Sequence, residues 1–370
     1  FIFFIFFISI ITFLYNDAVY FSPLEHCLKL LVSFLASFSI VTLYKIYFDD
    51  VLNTIIKHIQ IVFLINCAFV VCVMLSSGFK SIASVLLTQN SKMVMLASES
   101  IRSFDLVMGG GAVASVVFSV FFMFSLSSFL IDRNKLSLIS MVFAFLAILF
   151  TGRTGLYLTF AFIVPVLLSF NYLSFNRFMV GKVLNNVIVG VFVFMVPLGI
   201  FAFLTNVLTP EIYNLLIDNN FSWAFEPIIN YINTGGFSSL SSNRLMEMYS
   251  NDQLSFGSLF SLLGTSMSGR DLNNILRTDI GYLRALYTSG FIGLIAIFGK
   301  YIYLLIIAFN KINKRKFKRA EIPFLIGIIY YLIIIFIVNF KEYHMVIRSG
   351  LPLLMIFMLT LFNLKRKIEN

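Results

Sequence analysis

Residues 322–340, IPFLIGIIYYLIIIFIVNF, contain no charged side chain. A helix apolar on every face has no solvated side, so it belongs inside a large core or across a membrane. Comparable runs recur along the chain. Candidate spans lie at about 1–15, 28–44, 58–78, 109–130, 136–151, 154–170, 186–206, 286–309, 322–340 and 350–364. Most approach the ~20 residues needed to cross a bilayer. Composition agrees: 59% of the 370 residues are hydrophobic and 12% charged. A soluble domain is about 45–50% apolar and roughly 25% charged. The expected fold class is therefore all-α. It is a polytopic helical membrane protein with about ten to twelve transmembrane helices, forming a single integral membrane domain over residues 1–370. The chain begins at Phe1, and FIFFIFFISIITFL reads as the remainder of a spanning helix. It has neither the basic start nor the small-residue cleavage site of a secretory signal.

Several chemistries are disfavoured by what the residues lack. Cys67 and Cys72 sit inside an apolar run and read as packing residues. His26, His58 and His344 are scattered without metal-ligand spacing. No phosphate-binding P-loop or dinucleotide glycine pattern occurs. The expectation is no metal, no cofactor and no nucleic-acid partner.

Short basic loops set the expected orientation, because Lys and Arg collect on the cytoplasmic side. KINKRKFKR at 311–319 and KRK at 365–367 are the strongest signals. Counting back, IDRNK at 131–135 and the loop with Arg177 and Lys182 are also cytoplasmic, as are both visible ends. Four loops fall outside: 16–27, 79–108, 207–285 and 341–349. The hairpin TGRTG at 151–155 joins them. On this topology the inner cations are mostly Lys, whereas most outer ones are Arg: Arg102, Arg153, Arg244, Arg270, Arg277, Arg284 and Arg348. Lysine satisfies sorting as a point charge; arginine offers a planar fork that grips phosphate bidentately. An Arg-rich outer face points to an anionic ligand. The blander reading is salt bridges to the acidic residues, which are also more numerous outside.

The 207–285 loop is the large extramembrane segment. FSWAFEPIINYI and SSNRLMEM show apolar residues at helical spacing, so the loop reads as short amphipathic helices folded back as a cap. Arg153 lies between two apolar stretches, where an arginine is costly unless it snorkels or finds a partner. Thr154 and Gly155 begin the next span, and a helix N-terminus favours anions. That is the outline of a phosphate pocket; the alternative is an interfacial hairpin arginine. Arg277 and Arg284 are two turns apart on one face with Gly281 between them. Asp279 and Tyr282 share a neighbouring face. His344 and Arg348 stand at i and i+4.

In this order, TGRTGL, the long loop with SSNRLMEM, and TDIGYLRALYTSGFIGLIAIF resemble the O-antigen polymerase (Wzy) family, and more distantly the O-antigen ligases. The resemblance runs over residues 140–300. TGRTGL stands where relatives carry an S-R-G-like hairpin, and Asp279 where many carry a histidine. It implies the GT-C-like polymerase/ligase architecture with a helical periplasmic cap. It also implies a glycosyltransferase of O-antigen, or other surface polysaccharide, biosynthesis. Such an enzyme would work at the periplasmic face of the bacterial inner membrane on undecaprenyl-diphosphate-linked glycan repeat units, by metal-independent glycosyl transfer and without a cofactor. The diphosphate clamp would comprise Arg153, Arg244, Arg277, Arg284 and Arg348, with Tyr282 and Arg270 contacting substrate. His344 is the expected base and Asp279 its alternative or an orienting group. Membrane lipid is a partner, and a chain-length regulator protein is left open. The rival readings are an O-antigen ligase and a flippase or transporter of lipid-linked oligosaccharide.

Overall fold

The computed structural model describes residues 22–86, 111–175, 222–235, 262–265, 280–314, 318–341 and 350–363, with isolated positions at 7–14 and 243–248. Every regular element among the described residues is helical. In chain order they are α1 (Ser22–Tyr47), α2 (Val51–Leu75), α3 (Ser77–Leu86), α4 (Ala112–Asp132), α5 (Lys135–Thr151), α6 (Arg153–Phe175), α7 (Ser222–Thr234) and α8 (Gly281–Lys314). A 3₁₀ turn (Arg319–Glu321), α9 (Ile322–Val338) and α10 (Gly350–Asn363) follow.

Among the described residues, six helical stretches are long and apolar enough to cross a membrane: Cys27–Tyr47, Val51–Leu75, Val113–Asp132, Arg153–Leu173, Gly281–Asn310 and Arg319–Val338. Lys135–Thr151 and Gly350–Leu361 are shorter apolar helices. The chain is a multi-pass helical membrane protein. Of the expected span at about 1–15 only isolated positions are described, and that at 186–206 lies outside the described residues.

Two boundaries differ from the sequence reading. The second span begins at Val51 rather than near residue 58, so Lys57 and His58 are helical. Asp50 starts it: its carboxylate accepts from the Asn53 amide at 3.4 Å and from Asn53 Nδ2 at 2.7 Å. Such a cap contributes about 1 kcal/mol. Tyr44 Oη and His58 Nδ1, 2.5 Å apart, then tie the end of α1 to the start of α2. The second difference is α3, at the start of the stretch assigned to an external loop. Ser76 Oγ accepts from the Phe79 amide at 3.2 Å and begins it.

The fold divides into two compact units, each assembled from separated segments. In the unit of residues 42–237, 315–330 and 360–370, α4 packs along α5 and α6, and α2 packs on α5. Phe118, Phe121, Phe122 and Phe124 of α4 are fully buried. Hydrocarbon supplies no hydrophobic drive between helices, so small residues and hydrogen bonds carry much of the association. Gln60 Nε2 donates to Ser137 Oγ at 2.9 Å, and Ser137 and Ser128 share a hydroxyl contact of 3.2 Å. The Tyr330 hydroxyl donates to Ser119 Oγ at 3.2 Å. The outer faces of α2 and α6 expose Val62, Ile65, Val164 and Leu168, as contact with lipid requires.

The other unit comprises residues 1–41, 238–314 and 331–359. In it, Ser37 Oγ donates to the Pro352 carbonyl at 3.3 Å. The sequence predicts an unbroken span over 286–309. Instead α8 is two helical segments joined at Gly290, whose φ of 66° and ψ of −176° interrupt the helix. That backbone region is essentially glycine's alone. Gly264, at φ 77°, lies against it. The Tyr287 carbonyl, in the turn before the break, accepts from the Thr265 amide at 2.8 Å and from Thr265 Oγ1 at 3.1 Å.

Candidate functional site

The hairpin between α5 and α6 is built from its own polar residues. The Gly152 amide closes the last turn of α5 on the Ile148 carbonyl at 3.0 Å, and Thr151 Oγ1 donates to the Ala147 carbonyl at 2.7 Å. α6 begins immediately, at Arg153. The Gly155 amide donates to Ser115 Oγ of α4 at 3.1 Å, and a β-carbon at 155 would overlap the Ser115 carbonyl. The glycine therefore lets two helix backbones touch, which fixes the first turn of α6 against α4.

Arg153, in that turn, is only 6% exposed. A guanidinium cannot shed its charge there, so burial demands a partner. Glu226 supplies one: its Oε2 accepts from Arg153 Nη1 at 2.7 Å. Glu226 is 24% exposed and belongs to α7, part of the 207–285 segment. This part of the segment therefore contacts the hairpin. Arg153 is thus one half of a largely buried ion pair, the salt bridge to an acidic residue that the blander reading expects. Tyr157, one turn further along α6, lies within electrostatic reach of both charges.

Sequence reasoning missed Glu226. The signal was present: FSWAFEPIINYI offers one carboxylate in an otherwise apolar stretch. Such a group needs a cation as much as Arg153 needs an anion. Seventy-three positions separate the two in sequence, and no local pattern links them.

Tyr282 and Arg284 belong to the other unit, at the start of α8. The Tyr282 hydroxyl donates to the Phe336 carbonyl at 2.5 Å, and its amide to the Asn339 carbonyl at 3.2 Å. Its ring stacks on Phe298 at 4.9 Å and meets Phe340 edge-on at 4.7 Å. These contacts anchor the start of α8 to the end of α9. Arg284, half-buried, follows half a turn later, its amide closing on the Ile280 carbonyl at 3.0 Å. Lys300, further along α8, holds its ammonium 4.2 Å from the Tyr301 ring centre. Arg244, Arg270, Arg277, Asp279, His344 and Arg348 lie outside the described residues. Among the described residues, no three His, Cys, Asp or Glu side chains gather as a metal site would require.

None of the family models, curated proteins or solved structures compared with the chain matches it.

Proposed function

We propose that this chain is a surface-polysaccharide polymerase of the O-antigen type, with a GT-C-like architecture. It acts at the periplasmic face of the bacterial inner membrane, on undecaprenyl-diphosphate-linked repeat units. The observation that carries the reading is Arg153: a buried guanidinium in the first turn of an apolar helix, paired with Glu226 of α7. A fixed cation at a helix N-terminus is what a leaving diphosphate needs.

In this reaction the bond between the donor's anomeric carbon and its diphosphate oxygen breaks. A hydroxyl oxygen of the acceptor repeat unit forms the new glycosidic bond. Its proton passes to His344, whose ordinary pKa of about 6.5 suits a base near neutral pH. Asp279, close in sequence to Arg277 and Arg284, orients an arginine. Undecaprenyl diphosphate leaves against Arg153, Arg244, Arg277, Arg284 and Arg348. Tyr282 and Arg270 complete the substrate contacts, and arginine supplies the charge neutralisation without a metal. A ligase would run the same chemistry with lipid A–core as acceptor.

A second reading is favoured by the break in α8 at Gly290. Discontinuous membrane helices are characteristic of secondary transporters, which makes a flippase of lipid-linked oligosaccharide the main rival. Reconstitution with synthetic diphosphate-linked repeat units separates the two. A polymerase produces a ladder of lengths in EDTA; a flippase moves the substrate across the bilayer without elongation. Loss of the ladder in His344→Gln tests the base. Normal rates in both His344→Gln and Asp279→Asn would leave the mechanism without one.

A further inference from the structure

We infer that Glu226 is a resident anion on Arg153, exchanged for a phosphate oxygen when a lipid diphosphate binds, and that this exchange releases α7. The inference rests on the proposed diphosphate chemistry, and it assigns a regulatory residue that the clamp itself does not require.

Three observations carry it. The first is the asymmetry of the pair. Arg153 is 6% exposed and Glu226 24%, so the carboxylate is the less enclosed half. The second is the difference in anchoring. Arg153 sits on a helix whose backbone touches α4 through Gly155 and Ser115. Glu226 sits on a 13-residue helix with no fully buried side chain among those described. That helix has Pro227 in its interior and exposes Ile228, Ile229, Tyr231 and Ile232, the last at 75%. Proline withholds one amide from the helix ladder. Short, shallowly packed elements are the ones that open at low cost. The third is chemical equivalence. A carboxylate oxygen at 2.7 Å from Nη1 makes the charge-assisted contact that a phosphate oxygen would make. Stripping a buried arginine of its anion is strongly unfavourable, whereas replacing one anion by another keeps the charge paired.

The exchange has a direction. Glu226 moves outward into solvent, where a carboxylate is stable, and the diphosphate enters. The cationic site is thus occupied in the resting protein and excludes weakly binding anions. The exposed apolar residues of α7 move with Glu226, which couples headgroup binding to movement of an apolar surface.

The test uses the purified full chain in lipid, titrated with farnesyl diphosphate and, separately, with inorganic pyrophosphate. Glu226→Gln removes the competing charge while keeping the side-chain shape. It is expected to bind farnesyl diphosphate at least about tenfold tighter than the parent, roughly 1.4 kcal/mol. Arg153→Gln is expected to lose that binding. Equal or weaker binding by Glu226→Gln overturns the inference. Tightening with both probes assigns the exchange to the diphosphate group alone; tightening with farnesyl diphosphate only assigns it to a lipid-borne headgroup. Should Glu226→Gln fail to fold, hydrogen exchange of residues 222–234 in the parent decides. Faster exchange with bound farnesyl diphosphate supports release of α7, and unchanged or slower exchange overturns it. A parent that builds ladders while Glu226→Gln keeps parental affinity removes the exchange and leaves the polymerase. Tighter binding with no ladder does the reverse.

Discussion

Gly264 and Gly290 meet main chain to main chain: a β-carbon on either would overlap the backbone nitrogen of the other. Both adopt positive φ, 77° and 66°. The break in α8 is therefore held by two residues that have no substitute. Gly290→Ala meets backbone strain of about 1–3 kcal/mol and the overlap in addition. It is expected to lower the thermal midpoint of the protein in detergent by several degrees. Gly78→Ala is the control, since its added carbon meets nothing closer than 3.9 Å. Equal midpoints for the two variants would mean that the break is not a fixed feature of the fold.

A comparable contact joins α4 and α6. Gly155→Ala places a methyl group on the Ser115 carbonyl, so the helices must separate. The expected outcome is lower stability and displacement of Arg153, read as loss of ladder activity. The overlap is with main chain, so trimming the Ser115 side chain relieves little of it. The double variant Ser115→Gly/Gly155→Ala is expected to perform no better than Gly155→Ala alone. Full rescue would show that the side chain, not the backbone, sets the approach.

The basic loops at 311–319 and 365–367 predict that 207–285 and 341–349 share the non-cytoplasmic side. Single cysteines at Ser239 and Ser349, in a background without Cys27, Cys67 and Cys72, should react with an impermeant maleimide in intact spheroplasts. Labelling of either only after lysis would reverse the topology.

Arginine and lysine are not interchangeable in a diphosphate clamp, because a point charge lacks the planar fork. Arg153→Lys and Arg284→Lys are expected to reduce ladder formation about a hundredfold, the scale of losing one donor to a developing anion. Expression should stay normal. Parental rates in both would show that a positive field suffices.

The sequence made the helices of the membrane region legible to different degrees. IDRNK marked the turn between α4 and α5, because Asn134 accepts from the Leu136 amide at 3.0 Å and Arg133 adopts the left-handed conformation. The start of α2 was misplaced because Lys57 and His58 look like loop residues to a hydropathy average. Their helical setting depends on the Asp50 cap and on Tyr44, a partner in another helix. Gly290 was invisible for a related reason. A glycine between apolar residues scores as membrane helix whether or not the helix continues, and the broken form is packed against Leu262 and Gly264 and bonded by Thr265, all distant in sequence. At the candidate site, the cost of burying Arg153 was readable and the identity of its partner was not.

Two residues, Arg133 and Asn134, separate α4 from α5. α5 has 17 residues, at the short limit for crossing a bilayer by itself. So brief a connection, between helices that pack along each other, makes the pair a tight helical hairpin. Of the two, α4 is the long apolar partner, yet it ends up buried by its neighbours. The longer member of the hairpin is thus withdrawn from lipid, its surface matched by the helices packed around it.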